Sequence, residues 1–236
     1  MNGGFTDIHQ HLMYDIDDGP ETREAAEEMI AAAARDGITR IVVTPHVEPG
    51  LRPFDIELYR RRLDSLQNEC ARRHGVKLLT GAEIFYTEAT RRHLNERRVL
   101  TLADTEYVLV EFPTAIRFES LIRALDELSS GGYVPVLAHA ERYRCLVTRP
   151  PRAIELKKRL GVRFQINCST IMRNKPYFVS RFCKKLLGDG IIDAVATDAH
   201  DLTTRPVMMT AAYQLLEKKY GESYSARLTG KSGGFI

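Results

Sequence analysis

The sequence contains no tryptophan and only four cysteines among its 236 residues. Cys70, Cys145, Cys168 and Cys183 are spread along the chain and form no C-x-x-C pair. This spacing argues against a structural zinc knuckle and against a disulfide framework. We therefore expect reduced thiols and a cytoplasmic protein.

Long apolar runs are also missing. No stretch approaches the ~18 apolar residues of a membrane-spanning helix, and residues 1–5 lack the cationic and then apolar pattern of a signal peptide. A net charge of +3 is close to balanced, and the arginine clusters at 60–62, 91–92 and 97–98 are interpreted as solvated helix faces. We expect neither membrane insertion nor a nucleic-acid partner.

Predicted strands and helices alternate along the whole chain without a linker-like gap. Runs rich in valine, isoleucine and leucine predict strands at 5–8, 40–44, 76–84, 107–112, 134–138, 162–167 and 191–197. Helices are predicted at about 22–36, 55–73, 88–95, 118–129, 151–160, 176–187 and 206–220.

Seven consecutive β-α repeats predict the fold class. They imply a parallel sheet with helices outside it, and the right-handed crossover rule favours closure into a barrel. We therefore predict an α/β protein with a (β/α)7 TIM-like barrel that forms one domain over residues 1–236. The Gly/Ser-rich residues 231–236 are predicted to be a frayed tail.

Imidazole and carboxylate side chains follow nearly all of the predicted strands. In a parallel barrel the C-terminal ends of the strands converge on one face, so residues that are distant in sequence meet there. His9 and His11 are two apart on an extended segment and can therefore share one face. The complete set comprises His9, His11, His46, Glu83, Glu111, His139, Asp198 and His200.

Each of these residues alone is more often a hydrogen-bonded structural residue or an exposed carboxylate. Their joint placement favours a metal site, because unpaired buried carboxylates are costly and cations neutralise them. The donor groups are too numerous for one ion and suit two or three. Nitrogen and oxygen donors without sulfur favour Mn²⁺, Fe²⁺ or Zn²⁺.

Clustered divalent ions are typical of hydrolysis, most often at phosphorus, because they lower the pKa of bound water from 15.7 to roughly 7. Arg142, three residues after His139, and Arg205, five residues after His200, are candidates for binding phosphate oxygens. A surface salt bridge is the alternative for each arginine. Covalent mechanisms are not indicated, since the chain has no C-x5-R, Walker A or G-x-S-x-G motif.

Seven segments together resemble the polymerase-and-histidinol-phosphatase (PHP) superfamily. Within it they are most similar to the CpsB/CapC-type protein-tyrosine phosphatases of capsule biosynthesis. The resemblance covers about residues 6–220 and includes Asp7-Ile8-His9-Gln10-His11, Asp15-Ile16-Asp17-Asp18-Gly19-Pro20, Thr44-Pro45-His46, Gly81-Ala82-Glu83-Ile84, Val110-Glu111-Phe112, Ala138-His139-Ala140-Glu141-Arg142-Tyr143 and Thr197-Asp198-Ala199-His200.

This resemblance implies a distorted (β/α)7 barrel with three metal ions, usually Mn²⁺, with Fe²⁺, Zn²⁺ or Co²⁺ as alternatives. It adds Asp18 to the ligands, with Asp17 as its rival, and it assigns the phosphoryl group to Arg142 and Arg205. One ion would be held by His9, His11, Glu83 and Asp198, the second by Glu83, Glu111 and His139, and the third by Asp18, His46 and His200.

The function implied by the resemblance is hydrolysis of phosphotyrosine in proteins by a hydroxide that bridges two ions. His200 is a candidate acid for the leaving tyrosine, and the expected partner is a bacterial tyrosine kinase of capsule or exopolysaccharide synthesis. The short loop 113–118 carries Arg117, so substrate contacts beyond the phosphate are expected to differ. The alternatives are a phosphatase of a small ester such as histidinol phosphate, a nucleic-acid phosphoesterase, and a non-enzymatic metal-binding scaffold.

Overall fold

A computed structural model describes residues 3–172, 176–234 and 236. Within these ranges it has nine strands: β1 (Phe5–Gln10), β2 (Ile38–Val43), β3 (His46–Val47), β4 (Lys77–Thr80), β5 (Glu83–Phe85), β6 (Tyr107–Glu111), β7 (Val134–Leu137), β8 (Arg163–Asn167) and β9 (Ala194–Ala196). The α-helices of the same ranges are α1 (Arg23–Arg35), α2 (Ile56–Glu69), α3 (Thr90–Asn95), α4 (Phe118–Ser130), α5 (Arg144–Val147), α6 (Pro151–Leu160), α7 (Cys168–Met172), α8 (Tyr177–Gly188), α9 (Met209–Tyr220) and α10 (Glu222–Leu228). Short 3-10 helices span Ala71–His74, Leu102–Asp104 and Ala140–Arg142.

The strands form two parallel sheets that together make a distorted barrel. One sheet has the order β1-β2-β4, and the other has the order β3-β5-β6-β7-β8-β9. The backbone of β1 also meets the end of β9, since the N–H of Asp198 donates to His9 at 2.8 Å and the N–H of His11 donates to Ala199 at 2.9 Å. The predicted α/β barrel of seven strand positions is therefore confirmed.

One predicted strand is followed by a short additional strand, and another is itself divided into two short strands. Thr44 and Pro45 separate β2 from β3, and proline cannot donate to a ladder. Gly81 and Ala82 separate β4 from β5, and a Cβ on Gly81 would lie 2.6 Å from the side chain of Val42. The strand predicted at 40–44 is thus confirmed as β2, which ends before Pro45, although the short strand β3 beyond it was not predicted. The strand predicted at 76–84 is correct in place but wrong in continuity, because the chain passes from one sheet to the other at Gly81 and Ala82.

Side-chain caps explain where the first two helices begin. Thr22 accepts a hydrogen bond from the N–H of Ala25 at 3.2 Å, and Asp55 accepts one from the N–H of Leu58 at 2.8 Å. The helix predicted at 55–73 is shorter than expected, because α2 ends at Glu69 and a separate 3-10 turn follows. Within the described ranges, none of the helices has both the length and the apolarity needed to cross a membrane.

The apolar interior has two parts. The larger part lies between the strands and the surrounding helices and contains most of the buried leucines and valines. The smaller part consists of strand side chains on the other face, among them Ile8, Val42, Leu109, Val136 and Ala194. This inner cluster fills the barrel, so polar groups at the strand ends are mounted on a packed core.

The C-terminal tail makes more contacts than predicted. The Lys231 ammonium lies 5.5 Å from the ring centre of Phe5 and 4.5 Å from that of Tyr213. Arg40 donates to the backbone oxygen of Ile236 at 3.0 Å. Aromatic faces and an arginine thus provide partners for this tail that composition does not reveal, and the fraying of residues 231–236 stays a prediction.

Candidate metal centre

The first group of candidate ligands lies at the centre of the barrel mouth. His9, His11, Glu83 and Asp198 are all buried, and each offers one ligand atom within 4.8 Å of the others. The Nε2 atoms of His9 and His11 are 3.2 Å apart. They lie 3.1 Å and 3.2 Å from Oε2 of Glu83 and 3.3 Å and 3.5 Å from Oδ1 of Asp198. The four residues predicted to share an ion are thus brought together.

A second group shares Glu83 with the first. Nδ1 of His46 lies 3.2 Å from Oε2 of Glu83 and 3.2 Å from Oε1 of Glu111. His139 approaches the same two carboxylates, with Nε2 2.8 Å from Oε1 of Glu83 and 3.5 Å from Oε2 of Glu111. Glu83 is therefore common to the first and second groups, and the imidazoles of His46 and His139 both lie within 3.5 Å of the carboxylates of the second.

A third group lies at the more open side of the mouth. It contains His11, Asp18, His46 and His200, again with ligand atoms within 4.8 Å. Oδ1 of Asp18 is 3.5 Å from Nε2 of His46 and 3.3 Å from Nε2 of His200. Between the two rival carboxylates, Asp18 faces these ring nitrogens, whereas Asp17 binds the far side of His11.

The strand ends explain this convergence. His9 belongs to β1, His46 to β3, Glu83 to β5 and Glu111 to β6. His139 lies two residues after the end of β7, and its backbone φ of 33° is in the left-handed region. Asp198 follows β9 and also has a positive φ, of 53°. Non-glycine residues in this region are uncommon and cluster at functional sites.

Three imidazoles are oriented by hydrogen bonds on their outer nitrogens. Nδ1 of His11 donates to Asp17 at 2.7 Å, and Nδ1 of His200 donates to the backbone oxygen of Asp198 at 2.9 Å. Nδ1 of His9 donates to Gln165 at 3.1 Å. Each bond places a proton on Nδ1 and turns Nε2 towards the centre, which is the orientation that metal-binding histidines require.

The sequence reasoning missed the contribution of β8. Gln165 Oε1 accepts from the backbone N–H of His139 at 2.7 Å, and Gln165 Nε2 donates to Asn167 at 2.8 Å. Asn167 in turn donates to Oδ2 of Asp198 at 2.6 Å. The signal was two amides at i and i+2 on the one predicted strand that neither ends in nor comes just before a His, Asp or Glu. β8 thus holds the ligands of its neighbours in position.

The electrostatics of the cluster fit a bound cation. Burial alone would raise the pKa of Glu83, but His9, His11 and His139 lower it well below the usual value. Asp198 is similar, because His9 and His11 outweigh burial and lower its pKa. Both carboxylates are therefore ionised at neutral pH, and several divalent ions would balance them.

Unsatisfied atoms support the same conclusion. Oε2 of Glu83 and Nε2 of His200 are buried and make no hydrogen bond. Buried polar atoms are normally paired, so such atoms indicate a missing ligand. Burial and the nearby His11 lower the pKa of His200 to about 3. A neutral imidazole suits a metal ligand and is a poor proton donor, which favours the ligand role of His200 over the acid role.

The two predicted arginines contact different carboxylates of the cluster. Nη2 of Arg142 lies 2.7 Å from Oδ2 of Asp198, and Nη2 of Arg205 lies 2.7 Å from Oδ2 of Asp18. Both side chains are about two-fifths exposed, at 42% and 37%. Each guanidinium has five N–H donors, so both retain donors for an anion at the centre.

The segment around Arg142 is fixed by its neighbours. Glu141 is buried and accepts hydrogen bonds from the backbone of Asn167 at 2.9 Å and the hydroxyl of Thr170 at 2.8 Å. The hydroxyl of Tyr143 accepts from the backbone N–H of Phe112 at 3.1 Å. In this motif His139 and Arg142 face the site, whereas Glu141 and Tyr143 bind the segment to the ends of β8 and β6.

A cavity of about 660 Å³ opens beside Asp18, His46 and Glu111. Its walls contain both acidic and apolar side chains, and the apolar ones are Ile16, Val47, Pro53, Phe54 and Leu58. An apolar wall next to a cluster of metal-type donors can receive the aryl or alkyl part of a phosphate ester. The fold and the cluster together define a class: a TIM-like barrel protein with a site that could hold several divalent ions.

The chain belongs to the CpsB/CapC family of capsular polysaccharide synthesis, whose family model matches residues 5–234. It is 32% identical over 230 residues to the tyrosine-protein phosphatase CpsB of Streptococcus pneumoniae, which covers 94% of this chain and 93% of that protein. It is 31% identical over 228 residues to the tyrosine-protein phosphatase YwqE of Bacillus subtilis, with 94% and 88% covered. The predicted family is therefore confirmed.

Solved structures agree with the family and the fold. One match is a chain from crystal structures of YwqE from Bacillus subtilis and CpsB from Streptococcus pneumoniae, described as unique metal-dependent tyrosine phosphatases. It superposes on this protein with a TM-score of 0.85 at 31% identity, and the match covers 95% of this chain and 91% of that one. A histidinol phosphate phosphatase from Lactococcus lactis matches with a TM-score of 0.59 at 13% identity, covering 92% and 93%. The second likeness concerns the fold alone.

Proposed function

We propose that this protein is a metal-dependent protein-tyrosine phosphatase. The observation that carries the proposal is the cluster of imidazoles and carboxylates at the barrel mouth, bordered by Arg142, Arg205 and a partly apolar cavity. The names of the similar proteins support it, since CpsB and YwqE are tyrosine phosphatases. Phosphotyrosine in a protein is thus the proposed substrate.

The proposed ligand assignment follows the three groups. His9, His11, Glu83 and Asp198 would hold the first ion, Glu83 and Glu111 the second with His46 or His139, and Asp18, His46 and His200 the third. When bound, divalent ions lower the pKa of water and polarise phosphoryl oxygens. Mn²⁺ is the proposed metal, with Fe²⁺, Zn²⁺ and Co²⁺ as alternatives, because the donors are nitrogen and oxygen without sulfur.

Arg142 and Arg205 would position the phosphoryl group. Each keeps one nitrogen on a carboxylate of the cluster, so the guanidinium plane is fixed before substrate binds. A fixed guanidinium can donate two parallel hydrogen bonds to equatorial phosphate oxygens and stabilise the charge that develops on them. Asp198 and Asp18 would thereby connect phosphate binding to metal binding.

The cavity beside the cluster would receive the tyrosine ring. Val47, Phe54 and Leu58 provide apolar surface in the same cavity that His46 lines. A phosphotyrosine reaches further from its backbone than a phosphoserine, so a ring-sized recess next to the phosphate site favours the aryl ester. This preference separates the proposal from a phosphatase of small, fully polar esters.

The finer assignments are proposals as well. The proposed partner is an autophosphorylating tyrosine kinase of capsule or exopolysaccharide synthesis, which the family's description supports. The cytoplasm is the proposed location, supported by four cysteines whose spacing does not indicate a disulfide framework. Residues 1–236 are proposed to form one domain.

The test is hydrolysis of a phosphotyrosine peptide by metal-stripped protein to which Mn²⁺ is returned. A phosphoserine peptide and histidinol phosphate run beside it. Chelator-sensitive turnover that is selective for the tyrosine peptide is expected. Turnover of histidinol phosphate alone would contradict the substrate, and full metal loading without any turnover would favour a scaffold.

Arg142→Ala is the first variant to compare. Losing a charged hydrogen bond in the transition state should lower kcat/KM by very roughly ten- to a hundredfold. Arg227→Ala is the matched control, because Arg227 is an exposed arginine that lines a cavity with residues near the starts of β1 and β9, at the opposite end of the barrel. Equal activity of the two variants would show that Arg142 does not bind the phosphoryl group.

A further inference from the structure

A second cavity, of about 270 Å³, lies outside the metal cluster and is lined by arginines. Arg117 comes from the β6–α4 connection, Arg144 from the segment after Arg142, and Arg152 from α6. Glu119 is the acidic residue of this lining, so the cavity carries a net positive charge. Within the described ranges, no carboxylate forms an ion pair with any of the three arginines.

The cavity walls are held in place by specific contacts. The guanidinium of Arg152 stacks 4.4 Å from the ring centre of Phe118 and donates to the backbone oxygen of Cys145 at 3.2 Å. The N–H of Arg144 donates to the backbone oxygen of Thr114 at 3.1 Å, which ties the two walls together. Stacking leaves the edge of a guanidinium free to donate to an anion.

The start of α4 adds to the positive potential. Arg117 is the N-cap residue of this 13-residue helix and makes no side-chain capping bond. The first turn of a helix carries a partial positive charge and favours anions. The side chain of Cys145 adds no nucleophile, because burial raises the pKa of its thiol. The cavity is therefore suited to binding an anion and not to covalent chemistry.

The cavity is close to the site of the proposed reaction. Consecutive Cα atoms are 3.8 Å apart, so the Cα atoms of Arg142 and Arg144 are at most roughly 7.6 Å apart. Because an extended peptide advances about 3.3 Å per residue, residues two to four positions from a phosphotyrosine at Arg142 can reach the arginines. The lining of the cavity beside Asp18 and His46 contains a single arginine, Arg52, among more numerous carboxylates, so that cavity is less suited to acidic residues.

We propose that Arg117, Arg144 and Arg152 form a subsite for acidic side chains that flank the phosphotyrosine in a protein substrate. The ligand class is the aspartate or glutamate carboxylate of the same extended peptide. This inference rests on the proposed phosphatase function and deepens it. The subsite gives the enzyme a preference for phosphotyrosine in acidic sequence, which the phosphate-binding arginines alone do not provide.

The experiment compares two phosphotyrosine peptides. One has glutamate at the positions two to four residues before and after the phosphotyrosine, and the other has glutamine at the same positions. The Mn²⁺-loaded full chain is tested with both peptides and with phenyl phosphate. The test variant is Arg117→Ala/Arg144→Ala, and the control is Arg61→Ala/Arg227→Ala, which removes two other exposed arginines. We expect KM for the glutamate peptide to be about tenfold lower in the wild type and control, and this preference to be lost in the test variant.

The outcomes separate the subsite from the function. Phenyl phosphate turnover should be the same in all three proteins, which shows that the test variant folds. Turnover of both peptides with equal KM in the wild type would overturn the subsite and leave the phosphatase intact. If nothing is hydrolysed, fluorescence anisotropy measures the Kd of the labelled glutamate peptide instead. An equal Kd for the test variant and the control would also overturn the subsite.

Discussion

Asp17 shows how one side chain can determine the chemistry of its neighbours. Its carboxylate accepts from Nδ1 of His11 at 2.7 Å, from the backbone of His46 at 2.9 Å and from the backbone of Gly19 at 3.0 Å. These bonds lower the pKa of Asp17 to about 2, although burial alone would raise it. An ionised Asp17 therefore holds His11 in the tautomer that faces the metal cluster.

Asp17→Asn should weaken metal binding while the fold is retained. Asparagine has the same shape but presents an N–H₂ group or a neutral oxygen to His11, so the ring loses its fixed orientation. Loss of such a supporting partner reduces metal affinity by about ten- to a hundredfold. Titration of the metal-stripped protein with Mn²⁺, followed by calorimetry, measures this change.

Asp15→Asn is the matched control for this experiment. Asp15 lies two residues earlier in the same loop, is 71% exposed, and pairs with Arg62 at 3.0 Å. Its φ of 54° is one that asparagine adopts readily. If Asp15→Asn and Asp17→Asn have the same affinity for Mn²⁺, then Asp17 does not orient a ligand.

The residues that touch the centre were easier to predict than the residues that hold them. Histidine or glutamate at the end of a buried strand is easy to recognise, and a parallel barrel brings such residues together on one face. Gln165 and Asn167 carry no charge, and their role depends on which neighbours β8 has. That information is in the sheet order and not in the local sequence, so the sequence predicted no function for either amide.

At the scale of elements, the side chain of Tyr59 stabilises the place where the chain leaves the three-stranded sheet. This fully buried residue of α2 donates to the backbone oxygen of Val43 at 2.8 Å and accepts from the N–H of Gly81 at 3.2 Å. Both partners are at the ends of strands, where the ladder between β2 and β4 stops. Tyr59 thus satisfies two backbone groups that the break exposes.

Tyr59→Phe should destabilise the protein by about 1–3 kcal/mol, because it leaves a buried carbonyl and a buried N–H without partners. Chemical denaturation of the metal-free protein gives the free energy of unfolding. Tyr177→Phe is the control, since Tyr177 is 70% exposed. A change below about 0.5 kcal/mol for Tyr59→Phe, the range of ordinary surface substitutions, would show that water replaces the hydroxyl.

Most helices and strands were predictable because their periodicity, caps and glycines act locally. Thr22 before α1 and Gly161 after α6 are examples, since the first caps a helix and the second has a φ of 68° that ends one. The end of the second strand at Pro45 was predicted, because proline cannot donate to a ladder. The break at Gly81 was not predicted, because it lies within a run of strand-forming residues. At both places the chain passes from one sheet to the other.

At the scale of the whole molecule, the candidate ligands connect the two sheets. His9 belongs to β1 in the three-stranded sheet, whereas His46, Glu83 and Glu111 belong to strands of the six-stranded sheet. Asp198 and His200 follow β9 and close the ring against β1. Ions bound by these residues would therefore cross-link the two sheets. Without ions, the sheets are joined by the chain at the two breaks and by the hydrogen bonds between β1 and the segment after β9.

Metal binding should consequently stabilise the entire fold. A ligand present at a hundred times its Kd adds about 2.7 kcal/mol for each site, and a chain of this size gains roughly 2–4 °C in Tm per kcal/mol. Removing the metal with a chelator should therefore lower Tm by roughly 5–10 °C or more, and returning Mn²⁺ should restore it. Glu83→Gln, which changes the carboxylate shared by two groups, should have a Tm that depends much less on Mn²⁺. Equal Tm with and without Mn²⁺ in the wild type would mean that the cluster does not bind the ion in the native state, and the proposed chemistry would then need another cation.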